Sequence, residues 1–210
     1  MAGRTMNNPS FFDRCTAAAA AVLLGIASLA LSGCGGAAPE TPPLAGSSIG
    51  GPFTLTDQDG KKVSDTEFAG KYRLVYFGYT WCPDVCPVDV QNLMKGYRKI
   101  EAENPALAAK IQPIFITIDP ARDTPAALKQ FVRAFHPKLI GLTGSEAEIA
   151  AVAKKFAIYH MKQDPRPDGT YLVDHARQAM LFGPKGEPLA LITQDKDGDT
   201  AAADIERWAR

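Results

Sequence analysis

Apolar and polar positions change their period several times along the chain, and each change marks an element. Phe53, Thr54, Leu55 and Thr56 alternate, and Asp59-Gly60 supplies a turn before Val63, which predicts a small N-terminal β-hairpin. The stretch 72–79 is almost continuously apolar, β-branched and aromatic, the pattern of a strand buried on both faces. From 87 to about 103, Val90, Leu93, Met94, Tyr97 and Ile100 recur at helical spacing. A second buried strand is predicted over 111–118. Asp123-Thr124-Pro125 reads as a helix start, with Leu128, Phe131, Val132 and Phe135 following on one face. Residues 139–142 read as strand, and Ser145-Glu146-Ala147-Glu148 opens a helix that runs to about 157. Short strands are predicted at 157–161, 171–173, 179–182 and 189–192, and a last helix at 201–208.

Strands alternating with helices, then antiparallel strands and a final helix, specify an α/β fold. The expected architecture is a thioredoxin-like mixed central sheet with helices on both faces, plus the N-terminal hairpin. The first 34 residues stand outside this pattern. Arg4 and Arg14 give a positive start, and the apolar stretch 16–31 leads into Leu31-Ser32-Gly33-Cys34. A membrane span needs about 20 residues, so this stretch fits a secretory signal better. Its ending resembles a bacterial lipobox, which implies cleavage before Cys34 and lipidation of that cysteine; a plain signal peptide or an uncleaved anchor helix are the alternatives. Residues 35–50 are mostly Gly, Ala, Pro and Ser and bury no core. The expected organisation is a leader over 1–33, a flexible tether over 34–50 and one folded domain over 51–210.

Composition changes this picture little. With 46% apolar and 22% charged residues the chain is ordinary globular protein, neither disordered tail nor coiled coil. Basic and acidic residues balance at 23 each, so nothing calls for nucleic acid or another polyanion. Four cysteines are too few for a disulfide scaffold at this length. Cys15 leaves with the leader and Cys34 carries lipid, so Cys82 and Cys86 are what the fold keeps. In an exported protein such a pair is a disulfide or a metal site.

The chemistry lies where the first core strand ends, in Gly78-Tyr79-Thr80-Trp81-Cys82-Pro83-Asp84-Val85-Cys86-Pro87. A four-residue offset lets both sulfurs lie on one face of a first helical turn, whose free N–H groups and dipole favour thiolate. The gap is one residue longer than the usual thioredoxin-type pair. It permits a disulfide, structural or redox-active, and equally suits two thiolates holding one soft metal ion. A metal would need a third ligand. His136 closes a helix before Pro137, and His160 follows Tyr159 at a strand start. His175 ends the run Tyr171-Leu172-Val173-Asp174-His175, where it is either a surface loop residue or a ligand.

Residues 51–193 resemble the Sco/SenC family of copper proteins attached to respiratory membranes. The likeness rests on four stretches in the family's order and spacing. They are the run from Gly70 through Cys82-Pro83-Asp84-Val85-Cys86-Pro87, then Ile118-Asp119-Pro120-Ala121-Arg122-Asp123-Thr124-Pro125, then Tyr171-Leu172-Val173-Asp174-His175, and Gly183-Pro184-Lys185-Gly186. The resemblance implies a thioredoxin-like fold and one copper held by Cys82, Cys86 and His175. Ala176 departs from it, since the family commonly has serine after the histidine. Two thiolates and an imidazole are a soft, three-coordinate set suited to Cu(I) and able to hold Cu(II), whereas zinc normally asks for a fourth ligand.

Around these ligands, Tyr79, Trp81 and Pro83 are expected to shield the sulfurs. Asp174 either orients the imidazole or faces water. Asp84 and Asp89 are expected as solvated helix-start acids, and Met161 and Met180 as core residues. By resemblance the function is assembly of the binuclear copper centre of cytochrome c oxidase. The chain is then a metallochaperone, or a thiol–disulfide oxidoreductase that reduces that centre's cysteines; a peroxiredoxin-type peroxidase built on Cys82 is a third class. The implied partners are the copper-bearing oxidase subunit, a copper donor, a thiol reductant and the membrane through a lipid anchor. The implied location is the periplasmic side of a bacterial cell envelope.

Overall fold

The computed structural model describes residues 40–210; the expected leader and its Cys34 lie outside the described residues. The N-terminal hairpin forms as expected from β1 (Thr54–Asp57) and β2 (Lys62–Ser64), which pair antiparallel, and a short 3₁₀ turn, Asp65–Phe68, follows it. Ahead of them, the Leu44 N–H donates to the Leu189 carbonyl at 2.9 Å and the Gly50 N–H to the Lys155 carbonyl at 2.8 Å. These bonds lay residues 44–50 along the domain.

β3 (Tyr72–Gly78) is buried at every position, which is why its sequence is continuously apolar and not alternating. It pairs in parallel with β4 (Ile111–Thr117), and β4 in parallel with β5 (Ile140–Thr143). On its other edge β3 pairs antiparallel with β8 (Ala179–Phe182), and β8 with β9 (Pro188–Ile192). The seven-stranded order is β2-β1-β5-β4-β3-β8-β9. Crossovers between the parallel strands run through α1 (Val85–Glu103), the one-turn α2 (Pro105–Ala108) and α3 (Pro125–Phe135). The chain continues through α4 (Glu146–Lys155) and ends in α5 (Gly198–Trp208), which packs on α1.

Alternation along β3 sends its side chains to two helical layers. Tyr76 reaches Asp89 of α1 and stacks on Phe115 of β4, which meets Phe131 of α3. Its neighbour Phe77 points the other way, to Phe156 at the end of α4, and Phe156 also meets Phe53 and Phe182. Helices therefore cover both faces, the expected α/β arrangement. The sharp starts of α3 and α4 come from Thr124 and Ser145, whose side chains accept the Ala127 and Glu148 N–H groups.

Two strands lie elsewhere than the sequence pattern places them. β6 (His160–Lys162) and β7 (Val173–His175) pair with each other in a separate two-stranded ribbon. Residues 157–159 do not begin a strand because Ala157 takes a positive φ of 54°, a left-handed residue that ends α4. In the ribbon His160 stands opposite His175, and Met161 opposite Asp174.

Candidate metal centre

The site is made where β3 stops and α1 starts. α1 begins at Val85, two residues before the sequence pattern places it, so Cys86 belongs to its first turn while Cys82 lies in the preceding loop. The expected shared face of one helical turn is therefore corrected: the two sulfurs meet because the loop folds back over the helix start. Asp84 is the N-cap residue yet makes no side-chain cap. The Cys82 sulfur takes that place, accepting the Cys86 N–H at 3.5 Å. Gly78 keeps the space under the site open, since a Cβ there would stand 3.1 Å from the Cys86 sulfur and 3.0 Å from both the Tyr76 and Phe115 rings and would press on all three.

Both cysteines are free thiols; Cys82 is half-buried and Cys86 fully buried. Their environments push their pKa values apart. A hydrogen bond from Cys86, helped by the Cys86 and Asp84 backbone N–H groups, draws Cys82 down to about 3 against the cost of burial. Cys86 goes the opposite way, raised by its bond to the Cys82 thiolate and by burial. At neutral pH Cys82 is thus thiolate and Cys86 thiol, an asymmetric pair.

His175, at the end of β7, brings Nε2 to 3.2 Å from the Cys86 sulfur. Its Nδ1 lies 3.0 Å from the Ala176 carbonyl, which only accepts, so Nδ1 carries the proton and Nε2 presents its lone pair. The donor atoms of Cys82, Cys86 and His175 all lie within 4.8 Å of one another. Of the three histidines, only His175 joins them among the described residues; His136 caps the end of α3 and contacts Glu101.

The surroundings differ from expectation at several residues. Of the two readings for Asp174 the water-facing one holds: its side chain is exposed and accepts from Gln163 across the ribbon at 2.7 Å, and the Ala176 carbonyl orients the ring instead. Asp89 is no solvated acid but completely buried, because its place three residues after Cys86 falls on the apolar face of α1. Its carboxylate accepts from the Tyr76 hydroxyl at 2.8 Å and from Arg177 Nη2 at 2.7 Å. Met180 is core as expected, but Met161 is exposed, since its ribbon stands off the main sheet. Trp81 is also exposed, whereas Tyr79 is buried and its ring meets His175 edge-on at 6.0 Å.

Two further residues, both within the stretches that carry the resemblance, support the site without being ligands. Asp123, fully buried, accepts from the Thr80 N–H, the Thr80 hydroxyl and the Thr117 hydroxyl, pinning the cysteine loop to the end of β4. Burial raises its pKa against the pull of those donors. The Tyr79 hydroxyl accepts the Val173 N–H at 3.3 Å and so ties the histidine strand to the same loop. A signal for Asp89 lies in its spacing, four residues before Leu93 and eight before Tyr97 on the apolar face of α1, whereas Asp123 lies in the loop before α3, where no period marks it.

Comparison with known proteins bears on this geometry. A family model described as SCO1/SenC matches residues 41–210. The mitochondrial Protein SCO1 homolog 1 of Arabidopsis thaliana is 40% identical over 174 residues, 83% of this chain and 51% of its own length. The chain spans about half the length of the curated relatives it matches. Among solved structures, Bradyrhizobium japonicum ScoI with copper bound is 41% identical and superposes with a TM-score of 0.69 over 76% of this chain and 99% of that one. BsSco, described with a disulfide switch and as a member of the Sco family of cytochrome c oxidase assembly proteins, is 27% identical over 81% of this chain and 96% of that one, with a TM-score of 0.61. The fold alone extends to the thioredoxin domain of a thiol-disulfide oxidoreductase from Bacteroides vulgatus, 18% identical with a TM-score of 0.55, over 78% of this chain and 96% of that one.

Proposed function

This chain belongs to the SCO1/SenC family, and on that footing we propose that it is a copper metallochaperone. It takes one copper ion as cargo on Cys82, Cys86 and His175 and serves the assembly of the binuclear copper centre of a cytochrome c oxidase. The observation that carries this reading is the convergence of two sulfurs and one Nε2 within 4.8 Å, with the imidazole tautomer already set for ligation. The donor set fits copper: soft thiolates and a single imidazole favour Cu(I), and the same three ligands accept Cu(II). The reduced protein is expected to bind one copper per chain, measured by metal analysis after gel filtration, and its Cu(II) form to absorb strongly in the visible from sulfur-to-copper charge transfer. A stoichiometry of zero would sink the reading.

A second reading has one observation in its favour. A half-buried, low-pKa Cys82 beside a fully buried, high-pKa Cys86 is the asymmetry of an attacking and a resolving thiol, which suits a thiol–disulfide oxidoreductase acting on the oxidase cysteines. The partners in either reading are the copper-bearing oxidase subunit and a thiol reductant, with a copper donor in the first.

The reading places the domain on the periplasmic side of a bacterial envelope, held by lipid on Cys34. No helix among the described residues is long and apolar enough to cross a membrane. Two or more acyl chains on the N-terminal cysteine anchor stably, where one holds only marginally. Intact-mass analysis is expected to find the mature chain starting at diacylated Cys34; an unmodified mature terminus would reject the anchor.

A further inference from the structure

The chain leaves β7 at His175 and reaches β8 at Ala179 by crossing the start of α1. Within this crossing Arg177 makes a two-pronged contact with Asp89: Nη2 donates to Oδ1 at 2.7 Å and Nε to Oδ2 at 3.1 Å. Asp89 lies one helical turn after Cys86, and Arg177 lies two residues after His175. The ion pair therefore joins the segment that carries the imidazole to the helix that carries the buried thiol. The same crossing is held from its other side. The Gln194 side chain donates to the Arg177 carbonyl, and the Gln194 carbonyl in turn accepts from Asn92 of α1 at 3.1 Å.

We propose that Arg177, acting through Asp89, is a positioning residue for His175: the ion pair, its carboxylate buried and its guanidinium partly exposed, pins the His175 segment to α1, setting where Nε2 stands and which ring nitrogen carries the proton. The inference rests on the copper reading for its functional meaning. Its physical basis is the short lever between the clamp and the ring. The Ala176 carbonyl, which holds the Nδ1 proton, lies in the stretch between His175 and the clamped residue. A planar guanidinium engaged at both carboxylate oxygens fixes direction as well as distance, which a point-charge ammonium does not. Asp89 is completely buried and also accepts from Tyr76, whose ring meets the imidazole edge-on at 6.5 Å. The carboxylate itself cannot shift to follow a loosened arginine. Groups that orient a metal ligand without touching the metal typically govern about 10–100-fold of affinity.

The test compares the full chain with Arg177→Met, His175→Ala and the double variant, using Cu(I) competition against a chromophoric chelator and, in the reduced metal-free protein, the ring nitrogen signals of His175 by NMR. Arg177→Met is expected to weaken Cu(I) binding about 10–100-fold when His175 is present, and by less than about twofold when it is absent, because the effect passes through the imidazole. The ring is expected to show a single Nδ1–H tautomer in the wild type and an averaged pair in Arg177→Met. Arg177→Lys, which keeps the charge but not the fork, is expected to leave the ring averaged. Should Arg177→Met fail to fold with an unpaired buried carboxylate, Asp89→Asn/Arg177→Met removes that charge and carries the same comparison. Equal loss of affinity with and without His175, or unchanged ring signals, overturns the proposal. If wild-type protein takes up no copper, the metallochaperone reading fails, and the ring signals alone still decide the positioning role.

Discussion

Reduced protein is expected to take up copper with release of about one proton near neutral pH, and the disulfide form is expected to take up essentially none. Two ordinary thiols, with pKa values near 8.5, would each surrender a proton to the metal. Here Cys82 is drawn down to about 3 and is already thiolate, while Cys86 is pushed up and holds its proton until metal displaces it. The sign follows directly. Lower pH favours the protonated Cys86 and weakens binding, so affinity should rise about tenfold per pH unit between roughly pH 7 and pH 8, with a slope of one proton and not two. Calorimetry in two buffers of different ionisation enthalpy counts the protons, and a count near two would refute the asymmetric pair. Oxidation removes both sulfur ligands at once, because a disulfide sulfur is a poor ligand. Equal copper uptake by oxidised and reduced protein would place the metal elsewhere. The proposed periplasmic location is an oxidising compartment, so the gate makes a reductant part of the copper reading as much as of the thiol reading.

Replacing His175 with alanine is expected to separate the two proposed activities. One of three ligands is lost, and the copper affinity should fall by more than about 100-fold, beyond what an outer-sphere change costs. The thiol pair should still cycle between dithiol and disulfide. Cys82 owes its low pKa first to Cys86, and the Cys86 and Asp84 N–H groups at the head of α1 remain after the imidazole is gone. Chelator competition measures the first effect, and the rate of disulfide exchange with a small dithiol measures the second. In cells lacking the wild-type gene, failure of oxidase assembly with normal exchange chemistry assigns the requirement to copper. Normal assembly at ordinary copper supply assigns it to thiol reduction, and the metallochaperone reading then falls. The expected result is failure, since a thiol reductase has no use for an imidazole whose lone pair is already turned toward the sulfurs.

Much of the fold was legible because burial writes itself into period. The run of β3 had to be continuously apolar once covered on both faces, and Thr124-Pro125 and Ser145 with Glu148 are local devices that start a helix wherever they occur. The short ribbon was placed wrongly because β6 and β7 pair with each other over three residues, too short for alternation to register, and because the left-handed turn at Ala157 leaves no residue-type signature in alanine. The boundary of α1 was missed by two residues, which hid the fact that Cys82 serves as its cap.

The cysteines are separated by three residues, so their partnership is local and the sequence by itself determined it. His175 lies 89 positions from Cys86, and only a family resemblance, not periodicity or spacing, connected them before the fold was seen. What brings them together is tertiary: β8 returns antiparallel beside β3, which carries the end of β7 over the start of α1. The split of the two thiol pKa values, the orienting carbonyl of Ala176 and the Asp89–Arg177 clamp were decided there too. Each depends on direction and on exclusion of water between groups distant in sequence, and a linear pattern of residue types encodes which positions are buried but not which buried groups face one another.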